Sequence, residues 1–202
     1  MPPVTQALLG LNIMGFALQQ LLGLRVMAHF ALWPIGSSGI GAPTFELWQL
    51  LSYGFLHGSL MHLLFNMLGL WMLGRDVEDA FGSRRFLQYY LISVCAAALV
   101  QLAVAYALQW PPFPTVGASG GVFGVLLAFG MLFPRRRVML LIPPIPMQAR
   151  TFVMLYGALE LILGVTGSES GVAHFAHLGG LAGGYLMIRY WRARGSIGPG
   201  RS

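Results

Sequence analysis

The arginines of this chain divide it into apolar runs of membrane-spanning length. All twelve basic residues are arginine, and nearly all lie in the gaps between runs rich in Leu, Ala, Val, Phe, Met and Gly. A hydrocarbon core of ~30 Å requires about 20 residues of apolar helix. Six stretches meet or approach that length: about 7–24, 59–80, 86–107, 119–133, 148–165 and 172–191. Only 9% of the 202 residues are charged, against about 25% in an ordinary soluble domain. That shortage argues against a soluble enzyme or a disordered protein. The net charge of +6 sits between apolar runs and not on a basic soluble face, so nucleic acid is not an expected partner. The expected fold class is therefore all-α: a polytopic bundle of six helices forming one domain over residues 1–192. A polar, Gly-rich tail over 193–202 is expected to be cytoplasmic and disordered.

Orientation follows from where the arginines fall. Eleven of the twelve lie in alternate connections, and only Arg25 lies in the opposite set. By the positive-inside rule both termini are expected in the cytoplasm. The 25–58, 110–117 and 165–171 connections then face the other side. The first ten residues carry no basic n-region, so no cleaved signal peptide is expected. The 25–58 connection holds Phe30, Trp33, Phe45, Trp48, Tyr53 and Phe55. Amphipathic aromatics suit the headgroup level, which predicts that this segment lies in the outer interface. The single cysteine, Cys95, permits no intrachain disulfide and reads as a packing residue.

The fourth run is short. Its fifteen residues give about 22 Å of helix, less than the hydrocarbon thickness. The preceding Trp110-Pro111-Pro112-Phe113-Pro114 cannot continue a helix outward. Irregular backbone at membrane depth is tolerated only where it is buried in protein or lines a wet cavity. An aqueous recess opening outward above Ser119 is thus predicted.

Four uncharged polar residues converge on that depth: His62 and Asn66 in the second run, Ser119 in the fourth and His177 in the sixth. Polar groups in membrane helices are costly and mark function. Ser119, at a helix start, reads either as an N-cap or as a nucleophile. The second reading needs a general base, which His177 supplies if the fourth and sixth helices pack closely. Gly120 and Gly124 on the fourth run, and Gly180 and Gly184 three and seven residues after His177 on its face of the sixth, give the small-xxx-small spacing that close packing uses. His62 and Asn66, spaced i and i+4, share a face. They read either as an interhelical clamp or as donors of an oxyanion hole. A metal site from His57, His62, His174 and His177 is disfavoured, because no Asp, Glu or Cys accompanies a regular ligand spacing. No metal or cofactor is expected. Glu160 in the fifth run and Glu78 at the cytoplasmic end of the second are expected to lie too far from the recess to orient His177.

Three motifs carry a family resemblance: G-A-S-G at 117–120, H-x-x-x-N at 62–66 and A-H-x-x-G-x-x-x-G at 176–184. In order and placement they resemble the rhomboid family of intramembrane serine proteases, over roughly residues 7–191. The match is to the bare six-helix core of a bacterial member. The resemblance implies a six-transmembrane-helix rhomboid-like bundle and a Ser–His dyad with Ser119 as nucleophile and His177 as base. It also implies an oxyanion site from His62, Asn66 and the Ser119 amide, with Gly117, Gly120, Phe123, Gly180 and Gly184 in support. Transmembrane protein segments with small residues before the cut are the implied substrates, the lipid bilayer the surrounding partner, and the bacterial inner membrane the location. A gate formed by the fifth helix and the 165–171 connection is a further expectation.

Two residues depart from the family pattern. Trp48-Gln49 stands where Trp-Arg is common, so Trp48 is expected to keep the loop fold. Phe123 stands where tyrosine is common and is expected to stack on His177. Two other function classes compete. One is a catalytically inactive rhomboid-like protein that binds membrane clients, against which Ser119 and His177 are both present. The other is a small transporter with the histidines in a proton path, which no inverted repeat or pair of broken helices supports.

Overall fold

The computed structural model describes residues 1–36, 42–139, 144–167 and 173–195. Six long helices coincide with the six apolar runs to within three or four residues at each end. They are α1 (Pro3–Leu22), α4 (Leu60–Phe81), α5 (Ser83–Ala107), α6 (Ser119–Leu132), α7 (Ala149–Thr166) and α8 (His174–Ala193). Two short helices, α2 (Leu24–Phe30) and α3 (Gln49–Ser52), and a 3₁₀ turn over Tyr53–Phe55 lie in the first connection. By length and mean hydropathy α5 and α7 each qualify as a span, and α4 qualifies together with α3, from which it bends by 98°. The expected count of six spans is therefore met in helices but not in that stricter measure. In α8 the measure meets two histidines and two arginines, and α6 has only 14 residues. Most of the 165–171 connection and most of the tail lie outside the described residues.

Local chemistry sets the helix ends. The Ser59 hydroxyl caps α4 by accepting the His62 N–H at 3.1 Å. Gly82, at φ +78°, turns the chain sharply from α4 into α5, a conformation that costs a β-carbon-bearing residue more than glycine. At this same end of α4 Glu78, 1% exposed, reaches the start of α1. Its carboxylate accepts the Val4 and Thr5 N–H groups and the Thr5 and Ser83 hydroxyls at 2.6–3.0 Å. Pro2 and Pro3 carry no N–H, so both orphan N–H groups at the start of α1 are thereby satisfied, by an anion at the favourable end of its dipole. One feature lies outside an all-α reading: β1 (Arg137–Met139) pairs antiparallel with β2 (Pro146–Gln148) in the arginine-rich connection between α6 and α7.

The packing inverts the pattern of a soluble protein. Leu11, Ile13, Met14, Leu99, Leu155 and Leu186 are exposed, whereas Thr5, Asn12, Gln49, Ser93 and His57 are fully buried. Outward-facing apolar residues suit lipid, which offers polar groups no partner. Small residues bring the central helices together. On α8, Gly179 and Gly183 lie against Ala96, Ala97 and Val100 of α5, while Gly180 and Gly184 lie against Gly120 and Gly124 of α6. α8 is thus packed on two sides by glycine faces, with α6 held between α4 and α8. Below this layer Phe81, Tyr89 and Trp191 meet edge to face or tilted, with centroids 5.4–6.2 Å apart.

The first connection is an ordered structure built around Gln49, which is fully buried. Its carbonyl oxygen accepts the Trp33 N–H at 3.1 Å, and its amide donates to the His29 and Thr44 carbonyls at 3.3 and 3.2 Å. Trp48, expected to hold this loop, is 53% exposed and contributes one indole bond to the His29 carbonyl. Tyr53 does not lie at the interface with the other aromatics. It is 1% exposed and donates its hydroxyl to the Val94 carbonyl at 2.9 Å.

Candidate active site

The backbone before α6 is fixed by hydrogen bonds to the first connection. Leu32 and Thr115 exchange both backbone hydrogen bonds, and the Gly117 N–H donates to the Tyr53 carbonyl. These bonds tie the proline-rich segment to the first connection. Gly117 adopts φ +133°, and a Cβ there would lie 2.9 Å from His62 Nε2. Glycine is needed here both for its backbone angle and for the approach of the imidazole.

Ser119 is the first residue of α6, and Ala118 occupies the cap position. The serine side chain makes no cap bond; its Oγ lies 2.7 Å from His177 Nε2. Of the two readings of Ser119, the geometry favours the partner of an imidazole over the helix cap. His177 is one turn into α8 and 8% exposed. Its ring lies flat against Phe123, with centroids 4.3 Å apart and planes 5° from parallel. Phe123 is one turn beyond Ser119 on α6, so a single helix presents both the hydroxyl and the stacking ring.

His62 and Asn66 lie one turn apart on α4, facing the same space. The Gly58 N–H points at His62 Nδ1 from 3.4 Å, which leaves Nε2 to carry the ring proton. Asn66 is 6% exposed and donates one amide hydrogen to the His62 carbonyl at 2.8 Å. That bond stays within α4, so the pair is not an interhelical clamp. Nδ2 has a second hydrogen for another acceptor. His57 is fully buried, its ring edge to face with that of His62 and their centroids 5.1 Å apart.

A cavity of about 1250 Å³ joins these groups. His62, Asn66, Ser119, Phe123 and His177 all line it, as do Trp110 and Tyr156. The cavity matches the recess expected above Ser119. It also extends between α4 and α7, past Gly69, Met72, Phe152 and Tyr156.

One residue reverses the sequence expectation. Glu160 on α7 is 8% exposed, with Oε2 2.7 Å from His174 Nδ1 and 2.9 Å from His177 Nδ1. It was expected to lie too deep. It lies six residues from the C-terminal end of α7, about 9 Å of helix, and the start of α8 packs beside Gly164, short of that end. The one acid in an apolar helix whose only other charge, Arg150, sits at its start is the signal that marks it. The same contact places His174 beside the site and gives the histidines the acidic companion that they lack in sequence order.

A family model described as the rhomboid domain matches residues 44–194. The chain is 33% identical over 188 residues to rhomboid protease GlpG of Klebsiella pneumoniae, covering 92% of this chain and 62% of that protein. It is 35% identical over 142 residues to rhomboid protease GluP of Bacillus subtilis, covering 70% of this chain and 25% of that protein. RHOMBOID-like protein 4 of Arabidopsis thaliana is 37% identical over 142 residues, covering 70% of this chain and 33% of its own length. The chain thus spans less than two thirds of the length of these relatives.

Proposed function

This chain belongs to the rhomboid family, and from that premise we propose that it is an intramembrane serine endopeptidase with Ser119 as nucleophile and His177 as general base. The observation that carries the reading is the 2.7 Å contact between Ser119 Oγ and His177 Nε2 inside a large cavity. The hydroxyl donates to Nε2, so His177 takes that proton as Oγ attacks a peptide carbonyl. The carbonyl oxygen becomes an oxyanion facing His62 Nε2–H, the free hydrogen of Asn66 Nδ2 and the Ser119 backbone N–H. The last has no acceptor within the helix, because Ser119 begins α6. His177 then returns the proton to the leaving amine, and water in the cavity releases the acyl-enzyme. Gly117, Gly120, Gly180 and Gly184 hold the distances, and Phe123 holds the ring. No step calls for a metal or cofactor.

The chain is an integral membrane protein. Residues 1–192 act as one domain with both termini cytoplasmic and the site toward the opposite side, in a bacterial inner membrane. A helical substrate keeps its backbone bonds internal. Cleavable segments therefore carry helix-breaking and small residues near the outer interface, and enter the cavity between α4 and α7. The test is reconstitution in detergent or liposomes with a fluorogenic transmembrane peptide. Wild type cuts it and labels with a serine-directed fluorophosphonate; Ser119→Ala and His177→Ala do neither. Labelling that survives Ser119→Ala would sink the choice of nucleophile. A reporter fusion that finds the 25–58 connection in the cytoplasm would sink the orientation.

A further inference from the structure

Once Nε2 of His177 accepts the serine proton, the ring proton must sit on Nδ1, and Nδ1 needs an acceptor. Glu160 Oε2 stands 2.9 Å away. The Phe123 stack fixes the plane of the imidazole, but a ring held only by stacking still turns within that plane. A carboxylate within reach of Nδ1 restricts this freedom by favouring the ring angle that aligns Nδ1–H with it. Glu160 is itself held: its other contact, 2.7 Å to His174 Nδ1, is well aligned as a hydrogen bond. His174 is the first residue of α8 and His177 lies one turn on, so both imidazoles reach the same oxygen. A carboxylate there also meets the favourable end of the α8 dipole. The His174 separation is that of an aligned N–H···O bond, whereas His177 Nδ1 lies at ion-pair distance with its ring N–H off the line to Oε2, so that a small in-plane turn of the ring completes the bond. A tetrahedral zinc with ligand bonds of about 2.0–2.1 Å would hold its donor atoms about 3.3 Å apart.

We propose that Glu160 is a positioning residue that fixes the Nδ1–H tautomer and the in-plane orientation of His177, with His174 holding the carboxylate, so that the site works as a Ser–His–Glu relay. The inference rests on the protease reading above. In the first step the Ser119 proton moves to Nε2, the Oγ–C bond forms and the carbonyl electron pair moves to oxygen. In the second the proton passes from Nε2 to the leaving nitrogen as the C–N bond breaks. Glu160 gains no proton in either step; it pairs with the imidazolium between them.

The experiment uses the full chain in detergent, with the fluorogenic transmembrane peptide as substrate and ¹⁵N-histidine labelling for NMR. In wild type the His177 signals report a protonated Nδ1 and a bare Nε2. Glu160→Gln is expected to mix the tautomers and to lower kcat about 100-fold, with KM changed less than about twofold, since loss of the equivalent carboxylate in a soluble triad costs still more. Glu160→Asp, which keeps the charge, is expected to recover at least a tenfold part of that loss. A Glu160→Gln kcat within about threefold of wild type would overturn the proposal. So would a wild-type His177 with its proton on Nε2, a result readable even if Glu160→Gln does not fold. A wild type that keeps the Nδ1–H signature but neither cuts the peptide nor labels at Ser119 would instead overturn the protease reading.

Discussion

Gly180 on α8 lies so close to Gly120 on α6 that a Cβ at position 180 would collide with the Gly120 carbonyl oxygen. Ser119 precedes one of these glycines by a single residue, and His177 precedes the other by one helical turn. The backbone contact therefore sets the 2.7 Å side-chain contact. Gly180→Ala is expected to force α8 away from α6. Overpacking of this kind costs about 1–3 kcal/mol, and misplacing a base by about 1 Å costs ~10² in rate. Melting and kcat in detergent check both. Gly10→Ala, where a Cβ meets nothing within 4 Å, should change neither. Equal behaviour of the two variants would count against the glycine contact as the determinant.

Gln49 supports the first connection with three bonds to backbone groups, fully buried. Gln49→Ala takes the partner from the Trp33 N–H and the Thr44 carbonyl, while the His29 carbonyl keeps the Trp48 indole, and an unsatisfied buried group costs about 1–3 kcal/mol. A loss of about 2–4 kcal/mol is expected, read by denaturant or thermal unfolding, with faster hydrogen exchange at the Trp33 amide. Trp48→Phe, which removes one bond from an exposed side chain, should cost under about 1 kcal/mol. The reverse ranking would restore Trp48 as the holder of the loop.

The contrast between these residues explains what was legible in the sequence. Helix positions follow from apolar run length, and the Ser119–His177 pairing follows from glycine spacing, because both are properties of one segment at a time. Glu160 was visible as an acid in an apolar helix, but its depth depends on how far α8 starts below the end of α7, which no single segment encodes. Gln49 was hidden for a related reason: its partners, Trp33, His29 and Thr44, are 5–20 residues away in an irregular loop. Tyr53 carries the composition signal of an interface aromatic, and tertiary packing overrides it.

Glu78 separates stability from activity. It accepts from Val4, Thr5 and Ser83 at the end of α4 remote from the cavity. Glu78→Gln puts an amide donor among donors, and hydrogen bonds to a charged group contribute about 1.5–3 kcal/mol each. Unfolding is expected to become easier by about 2–4 kcal/mol, while kcat of the folded fraction stays within about twofold. A kcat loss without a stability loss would contradict the remote, structural role.

His62 and Asn66 should differ in how much each contributes to the one oxyanion they face. Removing one oxyanion donor typically costs ~10²–10³ in rate. His62→Ala is expected to lose that much, since Nε2–H is held toward the Gly117–Ser119 segment by the Gly58 contact. Asn66→Ala is expected to lose less, about tenfold, because one of its hydrogens is already committed to the His62 carbonyl. The loss should appear in kcat with KM little changed, measured on the fluorogenic peptide. Equal losses would mean that Asn66 turns fully toward substrate.

Phe123 is the test of ring stacking without a hydroxyl. Its ring lies 4.3 Å from His177 and 5° from parallel, and aromatic pairs contribute about 0.5–1.5 kcal/mol beyond the area they bury. Phe123→Ala removes that contact and opens space beside the imidazole, so kcat and fluorophosphonate labelling at Ser119 should both fall about tenfold. Phe123→Leu keeps most of the volume but not the flat face, and should recover only a small part. Phe123→Tyr keeps the face and adds a polar atom to a residue that already lines the cavity, where water satisfies it. Its kcat should stay within about threefold of wild type. If alanine and tyrosine at this position behave alike, the flat contact does not hold His177, and the orientation of the base rests on Nδ1 alone.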